Sequence, residues 1–291
     1  MNSGLLYAAF AFVSWGLYPL YFLMIASVSP LEIVVQRSVW SLVFVLGLLT
    51  LLRRWAWLGE LARQPHRLGL FALSALLLSG NWLIYVMAVQ TGHVIEASLG
   101  YFINPLVNVL LGVVVLHERL RRVQWVAVAL AGAGVLWLTV LTGRLPWIAL
   151  VLASSFGLYG LMRKTASLGA IEGFAAETLL LAPIAVPALL WWTFAGRGVL
   201  AQGDWALNGW MLLSGPLTAI PLLLFAAGAR RLPLATLGLV QYLAPTITLL
   251  LGVWVFHEPF DSQRLIGFIF IWAALALASA SALGLKLPWP A

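Results

Sequence analysis

The chain has 291 residues, of which 63% are hydrophobic and only 9% charged, too little charge to cover the surface of a soluble domain of this length. Its lack of cysteine excludes disulfides, thiolate metal sites and thiol catalysis. The net charge of +7 gathers in no ordered patch away from the hydrophobic runs, so it reads as the Lys/Arg excess of membrane loops and excludes a nucleic-acid partner.

A membrane-spanning helix needs roughly 20 mostly apolar residues. Such runs are expected at 4–26, 32–52, 68–89, 95–116, 122–141, 145–165, 171–193, 207–229, 234–256 and 262–284. They are continuously apolar rather than alternating, which favours helices over a barrel.

The first run lacks a basic leader and a small-residue cleavage site, and is read as an uncleaved span. It carries Tyr7, Ser14, Tyr18 and Tyr21 in one stripe beside Trp15. The second run holds Arg37 about five residues in, about 7–8 Å below the membrane boundary at the rise of an α-helix. An intramembrane arginine is a functional candidate by default, as an ion pair or as a gate. Glu32 and Glu96 are candidate partners on the same membrane face.

The third run places Asn81 and Tyr85 one turn apart, next to Trp82. In the fourth, Tyr101, Asn104 and Asn108 share a helical face around Pro105. The sixth offers Ser155 and Tyr159, the seventh Glu177, and the ninth Gln241, Tyr242, Thr248 and Pro245. Polar groups in these places either tie helices together or line a central cavity; their recurrence in both halves favours the cavity. Pro105 and Pro245 each free a carbonyl, of Tyr101 and Gln241, and act as static kinks or as hinges. The fifth and tenth runs are rich in Ala and Gly (Ala129, Ala133, Gly134; Ala274, Ala276, Ala278, Ala280) and read as scaffold.

Basic residues are sorted by side. Arg53, Arg54, Arg63, Arg67, Arg119, Arg121, Arg122, Arg163, Lys164, Arg230, Arg231 and Lys286 fall on one side, against Arg144, Arg197 and Arg264 on the other. With Arg37 inside a span, these account for all 16 Lys and Arg, and the asymmetry predicts cytoplasmic N- and C-termini.

The chain also repeats itself. SWGLYPL at 14–20 returns as SFGLYGL at 155–161, five of seven identical at an offset of 141. Leu31-Glu32 returns as Ile171-Glu172; Pro105, Leu111-Gly112 and His117-Glu118 return as Pro245, Leu251-Gly252 and His257-Glu258, all at an offset of 140. Each half then holds five spans, and an odd number forces the second half to enter from the opposite side. The expected fold is therefore an all-α membrane protein of ten helices in two inverted five-helix repeats, residues 1–141 and 142–291. Secondary transporters are commonly built this way, with the solute site near the midplane between repeats. The same symmetry pairs the buried cation Arg37 with the anion Glu177.

No catalytic constellation is visible. His66, His93, His117 and His257 lie in or beside loops, and neither His-Glu pair has the second histidine of a zinc-protease helix. The expectation is a non-enzyme without cofactor or metal.

The stretches NWLIYVMAV (81–89), EASLGYFINPLVN (96–108), ERLRRVQW (118–125), YGLMRK (159–164) and TLGLVQYLAPT (236–246), with Glu32, Arg37 and Trp40-Ser41, resemble the RarD-like proteins of the EamA group, in the drug/metabolite transporter superfamily. Met87 departs from the pattern, where an aromatic residue is expected. The resemblance implies the ten-helix inverted fold, transport without ATP hydrolysis, and a cavity lined by helices other than the fifth and tenth. Asn81, Trp82, Tyr101, Asn104, Asn108, Gln241 and Tyr242 are the lining residues it implies, to which the residue pattern adds Tyr18, Tyr85 and Tyr159. The expected activity is export of a small metabolite, amino acid or amphiphilic drug by alternating access, in a bacterial inner membrane, by a monomer, with or without a coupling proton. A solute channel, a lipid flippase, a lipid-modifying enzyme and a structural subunit are the alternatives.

Overall fold

The structure is a computed structural model and describes residues 3–90, 94–143, 147–255 and 262–282. Among the described residues it contains α-helices, one 3-10 turn and no strand. In chain order the helices are α1 (Ser3–Gly16), α2 (Tyr18–Met24), α3 (Pro30–Leu51), α4 (Trp57–Ala62), α5 (Pro65–Gln90), α6 (Val94–Val114) and α7 (Arg122–Thr142). They continue as α8 (Trp147–Thr165), α9 (Ala170–Phe194), α10 (Trp205–Ala229), α11 (Leu234–Gln241), α12 (Leu243–Trp254) and α13 (Ser262–Ala282).

Their limits follow local chemistry. Ser29 caps α3 by accepting from the Glu32 amide, with Pro30 in the first turn, where its missing N–H is no loss. Asp204 caps α10 by accepting from the amides of Ala206 and Leu207, both at 3.0 Å. The run expected at 4–26 is divided at Leu17, between α1 and α2, because Pro19 has no amide to continue the ladder to Trp15. The run expected at 234–256 is likewise interrupted, at Tyr242, just before Pro245. Pro105, by contrast, lies inside a continuous α6. The repeat element His257-Glu258 lies outside the described residues.

Among the described residues, seven segments are long and apolar enough to cross a membrane: Ser3–Met24, Pro30–Leu51, His66–Ala88, Arg122–Leu141, Ala170–Ala201, Trp205–Ala229 and Leu234–Leu251. Leu99–Val114 and Leu265–Leu277 are shorter apolar helices. The remaining long helix, α8, ends in Arg163 and Lys164 and is the least apolar. A chain with this many membrane-length helices is a multi-pass membrane protein.

The packing partners are specific. α6 lies on α8 and α11, α3 on α9 and α10, α1 on α10 and α12, α5 on α8 and α9, and α7 on α13. One core joins α1, α3, α5, α8, α9 and α10 around Phe12, Tyr159 and Phe225. A second, around Phe102, Ala131, Phe268 and Ile271, joins α6, α7, α11 and α13. α7 and α13 meet where a Cβ on Gly134 would stand 2.6 Å from the Gly267 carbonyl oxygen, so only glycine permits that approach.

Candidate functional site

A small cavity lies between α3, α5, α9 and α10. Its volume is about 30 Å³, room for a couple of waters or one small polar group. Twelve of its fourteen lining residues fall into pairs 140 residues apart, all but Ala75 and Ser79: Val34 and Phe174, Arg37 and Glu177, Ser38 and Thr178, Ser41 and Leu181, Leu78 and Thr218, Trp82 and Leu222. Most of the cavity wall thus comes from positions related by the sequence offset of 140.

The two ionisable members of this lining are treated differently. Glu177 is 1% exposed and accepts from the hydroxyls of Ser74 and Tyr159 and from Arg163 Nη1, the last at 3.4 Å. Arg163, also 1% exposed, donates through Nη2 to the Ala170 carbonyl at 2.9 Å. It enters because residue 173 is glycine: a Cβ there would stand 2.2 Å from Nη1. The sorting of basic residues by side counts Arg163 among the loop cations, whereas the structure turns it inward as the counter-ion of Glu177. A signal existed in the spacing, since Tyr159 and Arg163 share one face of α8, and Gly173 and Glu177 one face of α9.

Arg37 is 6% exposed and has no ion-pair partner among the described residues. Its guanidinium carbon sits 3.5 Å from the ring centroid of Trp82, and its Nη1 is buried without a hydrogen-bond partner. Glu32, one of the two candidate partners, is engaged elsewhere. That carboxylate accepts from Gln36 Nε2 at 3.0 Å and from the Val199 amide at 2.7 Å, fastening the loop between α9 and α10. Glu96 belongs to α6, and its side chain is outside the described set.

Beside Arg37 runs a ladder of rings. Tyr18 meets Trp82 with ring centroids 6.1 Å apart, Trp82 meets Tyr85 at 6.1 Å, and Tyr85 meets Tyr101 at 5.6 Å, all edge-on. Tyr18 donates to the Leu217 carbonyl at 2.5 Å, fixing the ladder to α10, and Tyr101 is 41% exposed at its other end. Four aromatics picked from the sequence are therefore brought together on one track.

The amide side chains sit elsewhere, in helix seams. Asn81 donates to the Leu152 carbonyl at 2.8 Å and to Ser155 Oγ at 2.9 Å, tying α5 to α8. Asn104 donates to the Ala153 carbonyl at 2.7 Å, and Asn108 donates to Gln241 Oε1 at 2.8 Å, tying α6 to α8 and α11. Tyr242 is fully buried at the junction of α11 and α12, packed in the second core. None of these five lines the cavity around Arg37. Tyr159 reaches it indirectly, through Glu177.

Residues 2–140 and 145–280 each match the EamA-like transporter family. The chain belongs to that family. An uncharacterized transporter of Pseudomonas aeruginosa is 47% identical, covering 97% of this chain and 95% of its own. The protein RarD of Streptomyces exfoliatus is also 47% identical, over 97% of this chain and 90% of its own. A solved crystal structure, 18% identical, superposes with a TM-score of 0.71 over 99% of this chain and 100% of its own, a likeness that concerns the fold alone. The RarD-like resemblance read from the sequence motifs is thereby established, and the chain is a transporter-family membrane protein.

Proposed function

We propose that the chain is an inner-membrane secondary transporter that exports a small solute by alternating access, built from two inverted five-helix repeats with both termini cytoplasmic. The paired lining of the cavity carries this reading, because a solute site on the axis between inverted repeats is walled by symmetry mates. The helix contacts support it too. If α1 exchanges with α8, α3 with α9, α5 with α10, and α6 with α11–α12, the pair α6–α8 becomes α12–α1, α3–α10 becomes α9–α5, and α1–α10 becomes α8–α5; all six are contacts of the fold. The two separate family matches fall one in each half.

In this reading the structure is a closed form. The cavity holds only a small polar group, so a larger solute enters after the halves part. Seams tied by single hydrogen bonds, such as Asn108 to Gln241, suit that motion, since such bonds in membranes average about 0.6 kcal/mol.

Because the chain has no cysteine, orientation is directly testable. Single replacements Glu60→Cys and Leu120→Cys should react with a membrane-impermeant maleimide only from the cytoplasmic side, and Gln202→Cys only from the opposite side. Periplasmic labelling at 60 and 120 would overturn the topology. Transport itself is tested by solute flux into proteoliposomes.

A further inference from the structure

The cavity's charge does not balance. Arg163 neutralises Glu177, and Ser74 and Tyr159 fill further acceptor positions of that carboxylate. Among the described residues Arg37 has only the face of Trp82, so Arg37, Glu177 and Arg163, which stands behind the lining, together carry one net positive charge. The symmetry makes the omission visible: the second half supplies a counter-ion for its charge, and the first half supplies an aromatic ring. A buried unpaired cation is expensive, and cation–π attraction offsets only part of that.

Stacking also decides what the guanidinium can still do. With one face on Trp82, its N–H groups remain available in the plane, the geometry that receives a carboxylate through two parallel bonds. Nη1 is buried without a hydrogen-bond partner. The nearby hydroxyls of Ser38, Ser41 and Thr178 donate to backbone carbonyls, and Arg37 Nη1 donates to none of them. No free carboxylate among the described lining residues remains to receive an ammonium group.

Resting on the transporter reading and deepening it, we propose that Arg37 on its Trp82 platform is the binding site for the carboxylate of a small organic anion, and that the solute is a monoanion rather than a zwitterion. Binding makes the loaded cavity electrically neutral, which is the state best able to be enclosed within the membrane.

The test uses the purified full chain in detergent and ligand-induced thermal stabilisation. Acetate, butyrate and phenylacetate are titrated against acetamide, butyramide and phenylacetamide, and against alanine and phenylalanine. At least one carboxylate should bind about tenfold or more tighter than its amide, the size of a charge-assisted hydrogen bond, and tighter than the matching amino acid. In Arg37→Gln that preference should collapse to about twofold or less, while Arg37→Lys, which keeps the charge without the fork, should retain part of it. Size-exclusion profiles and unligated melting curves establish that each variant is folded, and Arg37→Lys carries the comparison if Arg37→Gln is not. Equal affinity for acid and amide, undiminished preference in Arg37→Gln, tighter binding of the amino acids, or no binding of any carboxylate would each overturn the proposal. Flux of neutral or zwitterionic solutes without carboxylate preference would sink this inference and leave the transporter standing. Selective carboxylate binding without flux would do the reverse.

Discussion

Replacing Glu177 with alanine should destabilise the protein by roughly 3–5 kcal/mol, the range for removing one member of a buried ion pair. The loss exceeds that of the contact itself. Arg163 is 1% exposed, and Gly173 holds it against α9, so it cannot swing to water when its partner disappears. Arg163→Met in the same chain as Glu177→Leu should recover most of the stability, because two apolar side chains leave no charge behind. Unfolding of the purified protein in detergent, followed as a function of denaturant, measures both. If the single and double variants were equally destabilised, the ion pair would not be the source of the effect.

Gly238→Ala should destabilise by about 1–3 kcal/mol, the range for overpacking a tight interface. A Cβ at this position would stand 2.5 Å from the carbonyl oxygen of Pro105 and 3.0 Å from Asn108 Cβ. The first obstacle is backbone and cannot rotate away. Gly132→Ala is the matched control, since its Cβ would meet nothing within 4 Å and Gly132 lies inside α7. It should stabilise by roughly 0.5–1 kcal/mol through helix propensity alone. Opposite signs for two Gly→Ala changes identify close helix approach as the cause; a gain at Gly238 would contradict the packing of α6 on α11.

The elements most legible in the sequence were those set by composition along a single segment. Each expected hydrophobic run is occupied by a helix or a pair of helices, because a run of apolar residues in lipid must satisfy its own backbone. The break at Leu17 was also written in the chain, in Pro19, but it is a local event inside an otherwise continuous apolar run and the hydropathy pattern does not register it. What the sequence concealed depends on partners distant in the chain. Arg163 sits at a helix end beside Lys164, where cations ordinarily face water; only the glycine at 173 and the carboxylate at 177, on another helix, turn it inward. The asparagines posed the same problem. A polar face at helical spacing looks alike whether it meets a cavity or a neighbouring backbone, and Asn81 and Asn104 meet the carbonyls of Leu152 and Ala153. Arg37 was legible because an arginine inside an apolar run is conspicuous on its own. Its stacking on Trp82, some 45 residues away in sequence, was not, since only the fold brings α3 and α5 together.

We propose alternating access through the cavity walled by the mates Arg37 and Glu177 and the paired residues around them. Its most direct test is counterflow in proteoliposomes containing the purified full chain. Vesicles loaded with an unlabelled member of a panel of amino acids, carboxylates and amphiphilic drugs are diluted into the same solute in labelled form, with and without a proton gradient. Alternating access predicts saturable uptake and a transient accumulation of label above its equilibrium level for at least one solute, because unlabelled solute inside competes with the entered label for the inward-facing site. Uptake that rises linearly with concentration and shows no overshoot would contradict it and point to a channel; no protein-dependent flux of any member of the panel would contradict transport itself.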